Sequence, residues 1–213
     1  KLRMYPQSIQ NLIELFMKLP GIGPRQATRF AFFVVKEGNG FANEFARALK
    51  DAGDNVVSCS QCFRAMEREN GAATTLCTLC RDTKRDPVSI AIVERELDLA
   101  TMEKTGAYRG LYHVLGGVIS PFDSDSPKKL HLRALHDRIK TILEKQGTCE
   151  LILATNATTE GDTTALYIER VVEPLKQVHT GFKLSRLGRG LSLGAELEYA
   201  DESTLKHALM NRK

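Results

Sequence analysis

The sequence contains no tryptophan, only 7% aromatic residues, and no apolar run approaching the roughly 18 residues a membrane span requires. A membrane-spanning protein is not expected. Neither sign of charge dominates: 30 lysines and arginines stand against 26 aspartates and glutamates, which leaves +4 over 213 residues. So even a balance excludes a polycation, and any contact with nucleic acid must be local. The start, Lys-Leu-Arg-Met-Tyr-Pro, carries no apolar signal region, which makes a cytoplasmic protein the expectation. No low-complexity tract is present and no repeat of about 20–50 residues is visible. What is there suffices for a core. With 42% apolar residues the chain is neither disordered nor collagenous, and its length suggests one main core with smaller satellites.

Charge divides unevenly. Residues 1–55 hold 8 basic and 5 acidic side chains, whereas residues 87–183 hold 12 and 13, so the basic excess lies at the N-terminus. Ile9, Leu12, Ile13, Phe16 and Leu19 follow Ser8 at helical spacing and predict a capped amphipathic helix. A second helix is expected from Pro24, burying Ala27, Phe30, Ala31 and Val34 until Gly38-Asn39-Gly40 breaks it, and a third over 41–49. Such short helices make too small a core to stand alone and should pack against something else or a second chain. From Pro87 onward, apolar runs at 89–93, 111–115 and 151–154 read as buried strands. Segments 96–106, 128–145 and 162–176 read as helices, and the alternation predicts βαβ units around a parallel sheet.

Three motifs carry chemistry. Leu19-Pro20-Gly21-Ile22-Gly23-Pro24-Arg25-Gln26-Ala27 places two glycines in a turn ahead of a helix, whose free first-turn amides and positive dipole end can hold a phosphate. Arg25 and Arg29, four apart, project from one face. A lone Gly-x-Gly is usually an ordinary corner between helices, but this flanking pattern resembles the helix–hairpin–helix DNA-binding motif. Contacts from backbone amides to phosphates carry no base information, so such binding is sequence-independent and salt-dependent.

Cys59-x2-Cys62-x14-Cys77-x2-Cys80 is the second motif. Two Cys-x-x-Cys pairs complete the four-sulfur tetrahedron of structural Zn2+, a closed site that supplies folding energy and does no chemistry. Disulfides are disfavoured without a signal peptide, and a redox pair needs no duplicate. The fifth cysteine, Cys149, adjoins an apolar run and reads as a core thiol. Third, Glu94 follows the run 90–93, and Glu160-Gly161-Asp162 follows 151–154. Ligands of parallel sheets gather at carboxyl strand ends, so these acids could hold Mg2+, yet Asp162 is also placed to favour a helix N-terminus. Spacing alone leaves both readings open.

The order of these parts resembles the RecR family of bacterial recombination mediators, over nearly the whole chain. Supporting stretches include Arg85-Asp86, Tyr112-His113-Val114-Leu115-Gly116-Gly117, Ala154-Thr155-Asn156 and Leu197-Glu198-Tyr199-Ala200-Asp201. The resemblance implies a multi-domain α+β protein: a helix–hairpin–helix region over 1–55, a four-cysteine zinc finger over 56–86, an α/β Toprim domain with a parallel sheet over 87–183, and a Walker B-like C-terminal segment over 184–213. It implies DNA binding at Gly21, Gly23, Arg25 and Arg29, and zinc ligation by Cys59, Cys62, Cys77 and Cys80. Glu94, Glu160 and Asp162 match the Toprim acidic positions, a Mg2+ or partner site, with Glu-x-Asp where topoisomerases have Asp-x-Asp. Family members act with RecO and RecF and form ring-like dimers or tetramers without established enzymatic activity. Departures are the long loop between the cysteine pairs, with Glu67-Arg68-Glu69-Asn70-Gly71 as a solvated insertion, and Ala157 and Ser192 in place of usual prolines.

The competing enzyme reading is a Mg2+-dependent Toprim nuclease, with Glu94 as acid/base and Glu160 and Asp162 on the metal. A topoisomerase needs a tyrosine from a further domain for which 213 residues leave no room. A zinc-dependent transcription factor needs a base-reading helix that is not evident.

Overall fold

The apolar periodicity at the N-terminus forms α1 (Gln7–Met17) and α2 (Pro24–Asn55) in a computed structural model that describes residues 4–68 and 75–212. Phe16 packs against Ala27 and Ala31, whose small side chains let the two helices approach, and Ile9, Leu12, Ile13, Phe30 and Val34 close the cluster half-buried. The expected Ser8 cap is corrected. Pro6 takes the capping position, its carbonyl accepting from the amides of Ile9 and Gln10, so Ser8 falls inside the first turn. Pro24 does open α2, where its missing N–H costs nothing. At Gly38 the backbone leaves helical geometry (φ 80°, ψ −171°), and the segment expected over 41–49 runs on to Asn55 as the second limb of a kinked helix.

Residues 1–56 are one compact unit and residues 57–213 another. The second unit is built on four parallel strands: β3 (Asp86–Val93), β4 (Gly110–Val114), β5 (Cys149–Leu153) and β6 (Phe182–Arg186), in the order β4-β3-β5-β6. Between them run α4 (Glu96–Lys104), α5 (Leu132–Gln146) and α6 (Thr159–Val178). Ile90, Ile92, Leu151 and Leu153 bury one sheet face against Leu135, Ile139 and Leu143 of α5 and Ile168 and Val172 of α6. Ala91, Val93, Tyr112 and Val114 bury the other with Leu99 of α4. Cys149 is fully buried, and burial pushes its thiol up to about 11.

The helix expected over 128–145 is two pieces. A 3-10 turn at Ser126–Lys129 ends where Leu130 adopts extended geometry, and α5 starts afterwards. α7 (Glu202–Met210) ends the chain, capped by Asp201, whose carboxylate accepts from the Thr204 amide at 3.0 Å. The cysteine-rich segment contributes β1 (Val56–Ser58), β2 (Ala65–Glu67) and α3 (Thr78–Arg81). It completes the sheet edge: the Val114 amide donates to the Cys62 carbonyl at 2.8 Å, and Phe63 and Leu79 pack on the second core. Of the insertion, Glu67 ends β2, and residues 69–71 lie outside the described residues. No described helix is long and apolar enough to cross a membrane.

Candidate nucleic-acid interface and metal centre

Between α1 and α2 the chain turns through amides of Lys18, Leu19 and Ile22, which donate to the carbonyls of Leu15, Phe16 and Leu19. Gly21 sits at φ +79°, a left-handed conformation that disfavours any side chain, and a Cβ at Gly21 or Gly23 would meet nothing within 4 Å. The turn is open to solvent. No side chain caps α2 at Gly23, so the first-turn amides and the positive dipole end face outward, with Arg25 and Arg29 exposed beside them. This is a cradle for an anionic oxygen.

The four cysteines converge from the two Cys-x-x-Cys turns, their sulfurs all within 4.8 Å of one another, with Cys62 and Cys77 Sγ 3.5 Å apart. A tetrahedral zinc with Zn–S bonds of about 2.3 Å sets its sulfurs roughly 3.8 Å apart, so the donor set fits that ion. Cys59, Cys62 and Cys77 are buried. Hydrogen bonding with Cys77 pushes the Cys62 thiol up to about 12, and bonding with Cys62 and Cys77 pushes Cys80 up, while Cys77 as acceptor is pulled down.

The acidic positions meet differently. Glu94 lies where the chain leaves β3, at the carboxyl edge where strand order reverses between β3 and β5, and is only 3% exposed. Its two oxygens accept from the backbone amide and side-chain nitrogen of Asn156, at 2.7 and 2.6 Å. Asp162 pairs with Arg186 at the end of β6 and with Arg189, whose Nη1 also reaches Oδ2 at 3.2 Å. Glu160 is exposed. Among the described residues the four cysteines are the one group of three or more side chains gathered at metal-ligand distance. Glu94 and Asp162 are engaged by protein donors, and the exposed Glu160 does not join them at metal-ligand distance. Asp162 lies in the first turn of α6, where its charge favours the helix N-terminus as expected, and the Thr158 hydroxyl caps that turn by accepting from the Gly161 amide.

Gly161 is pinned between these groups. A Cβ there would fall 2.2 Å from the Asn156 carbonyl oxygen and 2.8 Å from Glu94 Oε1. Gly161→Ala is therefore expected to lower stability by about 1–3 kcal/mol, measured by urea unfolding; an unchanged midpoint would contradict this packing.

Comparison with known proteins follows the same layout. The RecR helix-hairpin-helix family matches residues 9–53, the Toprim domain family residues 89–188, and the RecR C-terminal family residues 190–213. The recombination protein RecR of Staphylococcus saprophyticus is 43% identical over 208 residues, covering 98% of both chains. Those of Lactococcus lactis and Chlorobium phaeobacteroides are each 42% identical, covering 98% and 96% of both chains respectively. The chain belongs to the RecR family. It is a recombination mediator of DNA repair and a non-catalytic one.

In this RecR chain the pairing of Arg186 and Arg189 with Asp162 and the burial of Arg138 were not readable from the motifs. Arg186 and Arg189 hold Asp162, and Asn211 donates to the Arg189 carbonyl at 2.7 Å, so the pair links the sheet edge to the C-terminal segment. The Arg189 bond foremost, with Arg186, holds the Asp162 carboxyl below its usual value. A depressed carboxylate contributes stability above its unfolded pKa of about 3.9 and loses it as pH falls through the lower folded value. Asp162→Asn is accordingly expected to speed hydrogen exchange in residues 190–212 at pH 7, while wild type shows that loss only below about pH 4. Equal exchange in both proteins at pH 7 would contradict the link. Arg138 is the other case; its signal was an arginine on the apolar stripe of α5, beside Ile139.

Proposed function

We propose that this protein holds DNA as a homodimeric or homotetrameric clamp. Contacts are sequence-independent, made by the amides around Gly21 and Gly23 and by Arg25 and Arg29. The observation that carries this reading is the uncapped, open start of α2 with two arginines beside it. Cys59, Cys62, Cys77 and Cys80 hold a structural Zn2+ in this reading, and the Toprim face carrying Glu94, Glu160 and Asp162 docks partner proteins of the RecO and RecF type in the bacterial cytoplasm, at the nucleoid. Mg2+ has no part in it, because Asn156 and the two arginines engage Glu94 and Asp162. No observation favours the nuclease alternative.

Self-association is supported by the N-terminal unit itself. Among the described residues its cluster buries only Phe16, Ala27 and Ala31, while Phe33 stays 50% and Leu49 60% exposed. The testing experiment is solution mass with and without duplex DNA. Two or four protomers, retained on DNA, are expected; a monomer in both conditions would overturn the clamp.

A further inference from the structure

Arg138 lies on the core side of α5, three residues after Leu135, and is 9% exposed. A guanidinium does not shed its proton at working pH, so burying one demands a compensating negative charge. Its Nη1 donates to the Tyr112 carbonyl at 2.7 Å and to the Gln61 carbonyl at 3.3 Å. Nε and Nη2 are buried without an acceptor among the described residues, and no described carboxylate pairs with them. Gln61 precedes Cys62, which places the guanidinium against the metal knuckle. With no described carboxylate paired to it, the group beside Arg138 that becomes anionic when it holds a metal is the four-cysteine set.

We propose that Arg138 is the counter-cation of the four-cysteine centre, offsetting part of its thiolate charge from outside the ligand set and fastening the metal segment to the sheet through Gln61 and Tyr112. This rests on the zinc reading above. Four thiolates around a dication carry a net charge of about −2. A fixed positive charge nearby favours the loaded state at any given pH. Loss of that charge weakens zinc binding.

The test compares full-length wild type, Arg138→Met and Arg138→Lys, with Lys140→Ala on the exposed side of α5 as control. Zinc content, release to a chelator and the absorption of the cobalt-substituted protein are measured. Arg138→Met is expected to release zinc about 10–100-fold faster, with a shifted sulfur-to-cobalt band. Arg138→Lys should recover most of the difference, and Lys140→Ala should match wild type. Should the methionine variant not fold, Arg138→Gln replaces it, keeping a hydrogen-bond donor without the charge. Wild-type release from the uncharged variant, or a lysine variant no better than it, overturns the proposal. A zinc-free wild type instead removes the zinc reading itself.

Discussion

Replacing Arg25 and Arg29 with alanine is expected to weaken DNA binding at least tenfold and to flatten its salt dependence. Each phosphate neutralised by an arginine releases condensed counterions, so the slope of log affinity against log salt should fall by roughly 2 for each hairpin engaged. In a multimeric clamp the loss multiplies across protomers, because the second and later contacts are intramolecular. Both side chains are exposed and contribute nothing to the Phe16, Ala27 and Ala31 cluster, so the fold should survive. Electrophoretic or anisotropy titrations at several salt concentrations check both effects. Binding by the double variant at wild-type strength would remove the hairpin from the interface.

Stripping the metal, or replacing Cys59 and Cys62 with serine, is expected to unfold the cysteine-rich segment first and then loosen the sheet edge. Structural zinc is worth about 10–16 kcal/mol in small zinc modules, comparable with the roughly 5–15 kcal/mol that holds a whole domain together. β1, β2 and the four-residue α3 offer little else: the local cluster is the cysteines with Met66, Leu76 and Leu79. The damage should spread because Val114 donates to Cys62, Ala65 donates to Glu96 of α4, and Arg138 bridges Gln61 and Tyr112. Hydrogen exchange should show residues 57–81 losing protection first and β4 next. Unchanged protection in β4 after metal removal would show the segment to be an independent appendage.

Most of the fold was legible wherever side chains repeat with a clear period. The α1 stripe, Pro24 at the start of α2, and the continuous apolar runs of β3, β4 and β5 each announce their element. β6 was not anticipated, because Phe182-Lys183-Leu184-Ser185-Arg186 is an edge strand with one buried residue. α7 buries none, so its pattern carries little signal. Ser8 was misread as a cap because cap preference is a local rule, and Pro6 starts the helix two residues earlier. The hairpin and the cysteines could be read since their chemistry depends on short spacing. The acidic site could not. Its character is decided by Asn156, Arg186 and Arg189, which arrive from distant parts of the chain and engage Glu94 and Asp162, two of the three acids that spacing offers as a cation site. The cysteine segment likewise reads as separate by composition but packs into the sheet unit through Phe63 and Leu79.

The central claim is that this RecR chain grips DNA by its phosphates and not by its bases. Affinity for several duplexes of unrelated sequence, measured from about 50 to 200 mM salt, tests it directly. The account predicts one common line of negative slope for all sequences, with the slope reduced in the Arg25, Arg29 double variant. A sequence that binds far more tightly than the rest, or affinity indifferent to salt, would contradict it.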